Sequence, residues 1–315
     1  MRLSLTLTLT LILYFPSLAY CFLVKDQSNP NITYNGGPLL SDRSTIDLVI
    51  VWYGEFSNSQ RKIVVDFLNS MKETSATPMS NYSVDSSPTV RQWWETTTLY
   101  KDHKGSCVAP HLKLVRQISN RYSLGRRLKA YDVQSIALQA MVKFSNHISL
   151  GVYIVFTSSQ VVVENFCESK CATHATIQVS NVSVPYIWVG DSGTQCPGQC
   201  AWPFAIPEFM ASHAPRKAPN DVGIDGLIIN LATILAGVVT NPHGNAYYQG
   251  NPQVPLEIGT ACTGIFGPGS YPGHPGTLLI DSSGSSYNAI GNNNRQFLLP
   301  SLWHPELRKC LTLLS

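Results

Sequence analysis

The sequence predicts an α/β protein: a layered mixed sheet with flanking helices and a disulfide-tied C-terminal region. Three observations lead there. Residues 47–54 form a short, β-branched apolar run closed by a glycine, the mark of a buried strand, and an amphipathic segment follows at once. Residues 221–239 are apolar on nearly every face at helical spacing, which predicts a helix running through the core. Six cysteines, Cys167, Cys171, Cys196, Cys200, Cys262 and Cys310, crowd the second half of the chain.

The elements follow in order. After the first strand, Ser57 offers an N-cap and Ile63, Val64, Phe67, Leu68 and Met71 recur at helical spacing. Strand then helix is the opening of a layered α/β fold. Pro88 opens a second helix carrying Trp93 and Trp94, and residues 133–144 make a third. Residues 152–156 and 185–189 read as further buried strands. Beyond the long helix, Gly, Pro, Asn and Ser dominate residues 264–294, with a short strand at 277–281. No linker divides the chain, so residues 22–315 are read as one domain.

The first 21 residues read as a signal peptide. Met1-Arg2 precedes an uncharged apolar run from Leu3 to Leu18, and cleavage is expected after Ala19 or Cys21. No later segment reaches about 18 uninterrupted apolar residues, so no membrane span is expected. Only 13% of residues are charged, against 44% hydrophobic. Hydroxyls, amides and glycans therefore keep the surface wet, and Asn31, Asn81 and Asn181 head Asn-x-Ser/Thr sequons. An oxidising compartment makes the six clustered cysteines three disulfides of undetermined pairing. Zinc held by the two Cys-x-x-x-Cys pairs is the competing reading, and Cys107 is left over.

A net charge of +3 excludes a general polycation and gives no reason to expect a nucleic-acid partner. The charge is uneven, however. Lys113, Arg116, Arg121, Arg126, Arg127 and Lys129 fall within residues 111–130 without an acidic residue among them. That is either a solvated face or a contact surface for an acidic extracellular polymer. Gly190-Asp191-Ser192-Gly193 matches a serine-protease nucleophile box but lacks its context and reads as a tight turn. The eight histidines are scattered singly and read as isolated surface residues.

A set of ordered motifs carries a resemblance. Tyr34-Asn35-Gly36-Gly37-Pro38, Trp52-Tyr53-Gly54, Gln92-Trp93-Trp94, Phe166-Cys167, Tyr186-Ile187-Trp188-Val189-Gly190, Gln195-Cys196-Pro197, Asp221-Val222-Gly223-Ile224-Asp225-Gly226 and Thr240-Asn241-Pro242 span the chain. Together they resemble the plant EXORDIUM-like (phosphate-induced protein) family. The resemblance implies an apoplastic, cell-wall-associated protein linked to cell expansion, brassinosteroid-responsive growth and adaptation to carbon status, with no reaction attached. Cys107 falls outside the pattern that carries it.

The stretch from Asn230 to Cys262 also resembles metalloprotease-like sequences in which a His-Glu-x-x-Glu helix leads to a Thr-Asp-Pro-type turn and a later Glu. The fold this implies is a degenerate zincin-like one. At the positions of the helix ligands and general base the chain has Thr233, Ile234 and Gly237, and only Glu257 survives. Catalytic zinc needs three protein ligands, so no metal, cofactor or catalytic residue is expected, and Glu257 should find local hydrogen bonds or solvent. The function expected is a non-catalytic extracellular protein of the wall, with acidic cell-wall polysaccharide or a receptor ectodomain as partner. The alternative is an enzyme acting on cell-wall glycans through Asp221, Asp225 and Glu257.

Overall fold

The computed structural model describes residues 30–72, 87–144, 151–179, 181–210 and 214–314. The segment read as a signal peptide and the sequon at Asn81 lie outside them. The centre is a five-stranded sheet of β1 (Thr45–Tyr53), β2 (His111–Asn120), β3 (Val152–Thr157), β4 (Ala172–Val179) and β5 (Val182–Gly190), in the spatial order β2-β1-β3-β5-β4. Four strands are parallel, and β4 runs antiparallel to β5 at one edge. Sequence reading finds β1, β3 and β5 because they are continuously apolar. It leaves β2 undecided between helix and strand and misses β4, because each edge strand is half solvated and carries a mixed pattern.

Alternation along β1 splits the core in two. Ile46, Leu48, Ile50 and Trp52 face α1 (Asn58–Asn69) and α5 (Val222–Thr240), whereas Val49, Val51 and Tyr53 face α3 (Ala130–Phe144). Both short-range helix starts are locally encoded. Ser57 Oγ accepts from Gln60 N at 3.1 Å while Gln60 Oε1 accepts from Ser57 N at 2.9 Å, and Thr89 and Gln92 repeat this reciprocal cap at α2 (Val90–Glu95). Helix α5 is long and apolar enough to cross a membrane, yet 78% of that apolar window is buried inside the fold. Its N-cap is Asp221, which accepts from Ile224 N at 3.0 Å.

The C-terminal region folds as short strand pairs of two or three residues held by polar contacts. The strand expected at 277–281 is present as Leu279–Ile280, paired with Ser286–Tyr287. Buried Asn288 donates to Phe266 O and Leu299 O and accepts from Leu299 N. Arg295 bridges Asp66 on α1 at 3.0 Å and Asn220 before α5 at 2.7 Å, tying this region to both helices. The six clustered cysteines form three disulfides, Cys167–Cys196, Cys171–Cys200 and Cys262–Cys310. The two Cys-x-x-x-Cys pairs cross-link to each other, staple-fashion, and the short helix α4 (Pro197–Cys200) carries one side of that double link. The zinc reading of these pairs is thereby corrected, since disulfide sulfurs are not thiolate ligands.

Cys262 and Cys310 are 48 residues apart, and Cys107 is free and exposed. Replacing Cys262 and Cys310 by serine should lower unfolding stability by about 2–5 kcal/mol. Cys107→Ser should change it by less than about 0.5 kcal/mol. Guanidinium unfolding of the three proteins under non-reducing conditions checks both.

Candidate functional site

In open α/β sheets, ligands collect outside the carboxyl ends of the strands, where the chain switches sides. Here that place lies between β1 and β3, and it is filled. Ser158 N donates to Tyr53 O at 3.0 Å, Gly54 N to Asn120 O at 2.9 Å and Asp191 N to Thr157 O at 2.9 Å, so four strand ends are laced together. Gly54 has φ +96°, and a side chain there would collide with the Ser158 hydroxyl. The loop after β5 then folds over the top. Gln195 Nε2 donates to Ser159 O and Val161 O, and Thr194 Oγ1 donates to Ser159 O. The Gly190–Gly193 segment is the tight turn expected, and Ser192 is fully buried, which excludes it as a nucleophile.

The opening at this end of the sheet is displaced outward. A groove of about 340 Å³ lies between edge strand β2 and α3. Ile118 and Val51 form its floor, Ser119, Asn120, Arg121 and Ser123 its strand side, and Ile136, Gln139, Ala140 and Lys143 its helix side. Those last four residues fall at helical spacing and so share one face of α3.

The six basic residues singled out by sequence are all exposed, and of them Arg121 lines this groove. Lys113 and Arg116 sit on β2, and Arg121, Arg126, Arg127 and Lys129 follow in the segment leading to α3. The sequence suggested cations without a counter-charge. The fold brings acids from elsewhere in the chain to this segment: Arg121 pairs at 2.8 Å with Glu55, from the β1 end 66 residues earlier, and Lys113 stands in register with Asp47 of β1. Arg126 lies 4.6 Å over the Tyr122 ring and Lys129 5.9 Å over the Tyr131 ring, contacts that hold the chains without neutralising them. Of the two described sequons, Asn31 is exposed and its Oδ1 accepts from Arg308, and Asn181 is exposed in the turn from β4 to β5.

Glu257 is the second place of interest. It is 3% exposed, and its carboxylate lies against Gly237 of α5, where a Cβ would come within 2.5 Å of Oε2. His174 Nε2 on β4 stands 2.9 and 3.0 Å from the two carboxylate oxygens, and Asn241 Nδ2 donates at 2.7 Å. Glu257 thus finds hydrogen-bond partners, but from distant parts of the chain and not the local ones expected. His174, in contrast, is no isolated surface histidine: its side chain is 10% exposed and its Nδ1 is buried without a partner. It was missed because β4 was missed and the pair spans 83 residues. Nearby, burial and then the neighbouring His174 charge lower the pKa of His243. Thr233 Oγ1 donates to Ile229 O, a capped backbone contact rather than a ligand. Among the described residues, no three His, Cys, Asp or Glu side chains converge as a metal site.

The carboxylates considered for glycan hydrolysis do not come together as a set. Asp221 caps α5 and Asp225 sits in its first turn. Gly237, which marks Glu257, is twelve residues beyond Asp225, about 18 Å along the helix and outside the separations glycosidases use. Asp225 is buried, which pushes its carboxyl up to about 7, partly offset by Asn220 donating to both oxygens. Burial likewise raises Asp191, opposed by the Gly193 N–H and assisted by the Asp221 charge.

Two expectations follow. An unfolded aspartate titrates near 3.9, so the folded state holds an extra proton on Asp225 between about pH 4 and 7. Its contribution to stability is complete below about pH 4 and is lost as pH rises through 7; in Asp225→Asn, denaturation midpoints from pH 4 to 8 should lose that decline. His174→Ala leaves the buried Glu257 side chain with Asn241 as its remaining partner and should cost about 1–3 kcal/mol in the same assay.

The comparisons with known proteins agree with the motif pattern. The family model described as phosphate-induced protein 1 conserved region matches residues 32–313. "Protein PHOSPHATE-INDUCED 1" of Nicotiana tabacum is 41% identical over 95% of this chain and 93% of its own. "Protein EXORDIUM-like 2" of Arabidopsis thaliana is 42% identical over 96% of each chain, and "Protein EXORDIUM" of the same plant 42% over 90% and 89%. No solved structure matches. Coverage from one end of the described fold to the other, at this identity, makes the chain a member of the EXORDIUM-like, phosphate-induced protein family.

Proposed function

We propose that this protein is secreted to the apoplast and acts in the cell wall as a non-catalytic binding protein that retains acidic polysaccharide during cell expansion. The observation that carries the reading is the run of six exposed cations on an edge strand and the segment after it, of which Arg121 pairs with Glu55. Secretion is supported by the apolar N-terminal run behind Arg2 and by three disulfides, which persist in oxidising compartments. The growth role, brassinosteroid response and adaptation to carbon status enter through family membership. A receptor ectodomain is a second partner class that the same face could meet.

Descent from a zincin-like ancestor is part of the proposal. Its support is that Glu257, far along the chain, lies against α5 at Gly237, one of the positions aligned with the lost ligands and base. The imidazole of His174 now occupies the carboxylate's attention there, which favours a retired site over an active one.

Contact between exposed charges and a polyanion is screened over roughly 8 Å at physiological salt. Retention on immobilised, de-esterified pectin should therefore fall steeply as salt rises. Arg126→Glu with Arg127→Glu should reduce retention at low salt by at least about tenfold. Unchanged retention of that variant would remove the basic face as the contact.

A further inference from the structure

The basic face explains attraction to a polyanion but gives no reason for one sugar to be preferred. The groove between β2 and α3 does. Its floor is aliphatic, Ile118 and Val51, with Ile136 on the helix side, while its walls carry the amides of Gln139 and of Asn120, whose Oδ1 accepts from Ser123 N, and its rim carries Arg121 and Lys143. An apolar patch, amides that donate and accept, and cations at the rim match a pyranose that bears a carboxylate. The ring's C–H face lies on isoleucine, its hydroxyls meet amides, and its carboxylate meets the cations. A neutral sugar would bring no charge to meet the rim cations. A bare phosphate would leave the aliphatic floor unused.

We infer that this groove is a subsite for a single uronate-type residue or a short oligouronide, which gives the basic face its chemical selectivity. The inference rests on the polyanion reading proposed above. At about 340 Å³ the groove is at the small end of ligand pockets, room for about one or two sugar rings and not for a chain. Arg121 is compatible with the role because Glu55 engages one nitrogen of a guanidinium that carries five N–H donors. The position has a topological cause. The usual ligand crevice at the β1 and β3 ends is filled by Gly54, Ser158 and the Gln195 loop, and the sheet edge leaves β2 uncovered on the α3 side.

The test uses the mature, disulfide-intact protein and two probes, digalacturonate and its methyl ester, in isothermal titration calorimetry, alongside retention on long-chain pectate. Gln139→Ala with Lys143→Gln changes two exposed side chains and should leave the fold intact. Digalacturonate should bind once per chain and saturably, and the methyl ester at least about tenfold more weakly. The Gln139/Lys143 variant should lose at least about tenfold for digalacturonate with little change in pectate retention. The Arg126/Arg127 variant should do the reverse. Equal binding of acid and ester, no saturable binding of digalacturonate, or an unaffected Gln139/Lys143 variant would overturn the subsite while pectate retention stands. Loss of pectate retention in the native protein would overturn the polyanion reading itself.

Discussion

Everything in this fold leans on helix α5, and α5 can be leaned on because three of its residues have no side chain. Gly223 admits the Asp191–Gly193 turn, Gly226 admits Ala201 beside the disulfide-bonded helix α4, and Gly237 admits the Glu257 carboxylate. Each helical glycine costs roughly 1 kcal/mol against alanine in intrinsic propensity. Close approach on three sides returns more than that by burying the helix in the sheet, the cysteine-rich loop and the C-terminal region at once. The apolar composition that would suit a membrane serves here to meet protein on nearly every face.

That arrangement decides where a ligand can go. Drawing the strand ends, the 191–193 turn and the start of α5 together closes the crevice at the centre of the sheet. Asp191, Asp221 and Asp225 are spent on turns and caps, with burial raising two of them. What stays open is peripheral, along β2. An edge strand needs protection against pairing with another sheet, and exposed charge supplies it. Lys113 and Arg116 of β2 are such charges, and the polyanion contact proposed above would draw on them as well.

The His174 and Glu257 pair illustrates a buried polar contact kept by geometry. Asn241 and Gly237 hold the carboxylate in place, and the edge strand brings the imidazole to it. Removing either partner strands the other in a site that excludes water. Its value is therefore in fixing how β4, the end of α5 and the Glu257 loop sit against one another.

By itself the sequence determined the layered α/β class, the central strands, the helix starts and the six bonded cysteines. These depend on local patterns: continuous apolar runs, Ser or Thr three residues before Gln, and cysteine crowding. The basic segment was legible for the same reason, being contiguous. Only the tertiary structure decided the pairing of Cys167 with Cys196 and Cys171 with Cys200, the partners Glu55 and His174, and the groove of Gln139 and Lys143 against Asn120. Each of these joins residues distant in the chain, some as many as 83 positions apart, whose proximity follows from strand order and from how closely α5 can be approached. Edge strands hide such contacts from sequence reading, because a strand that is half in water has no apolar periodicity to announce it.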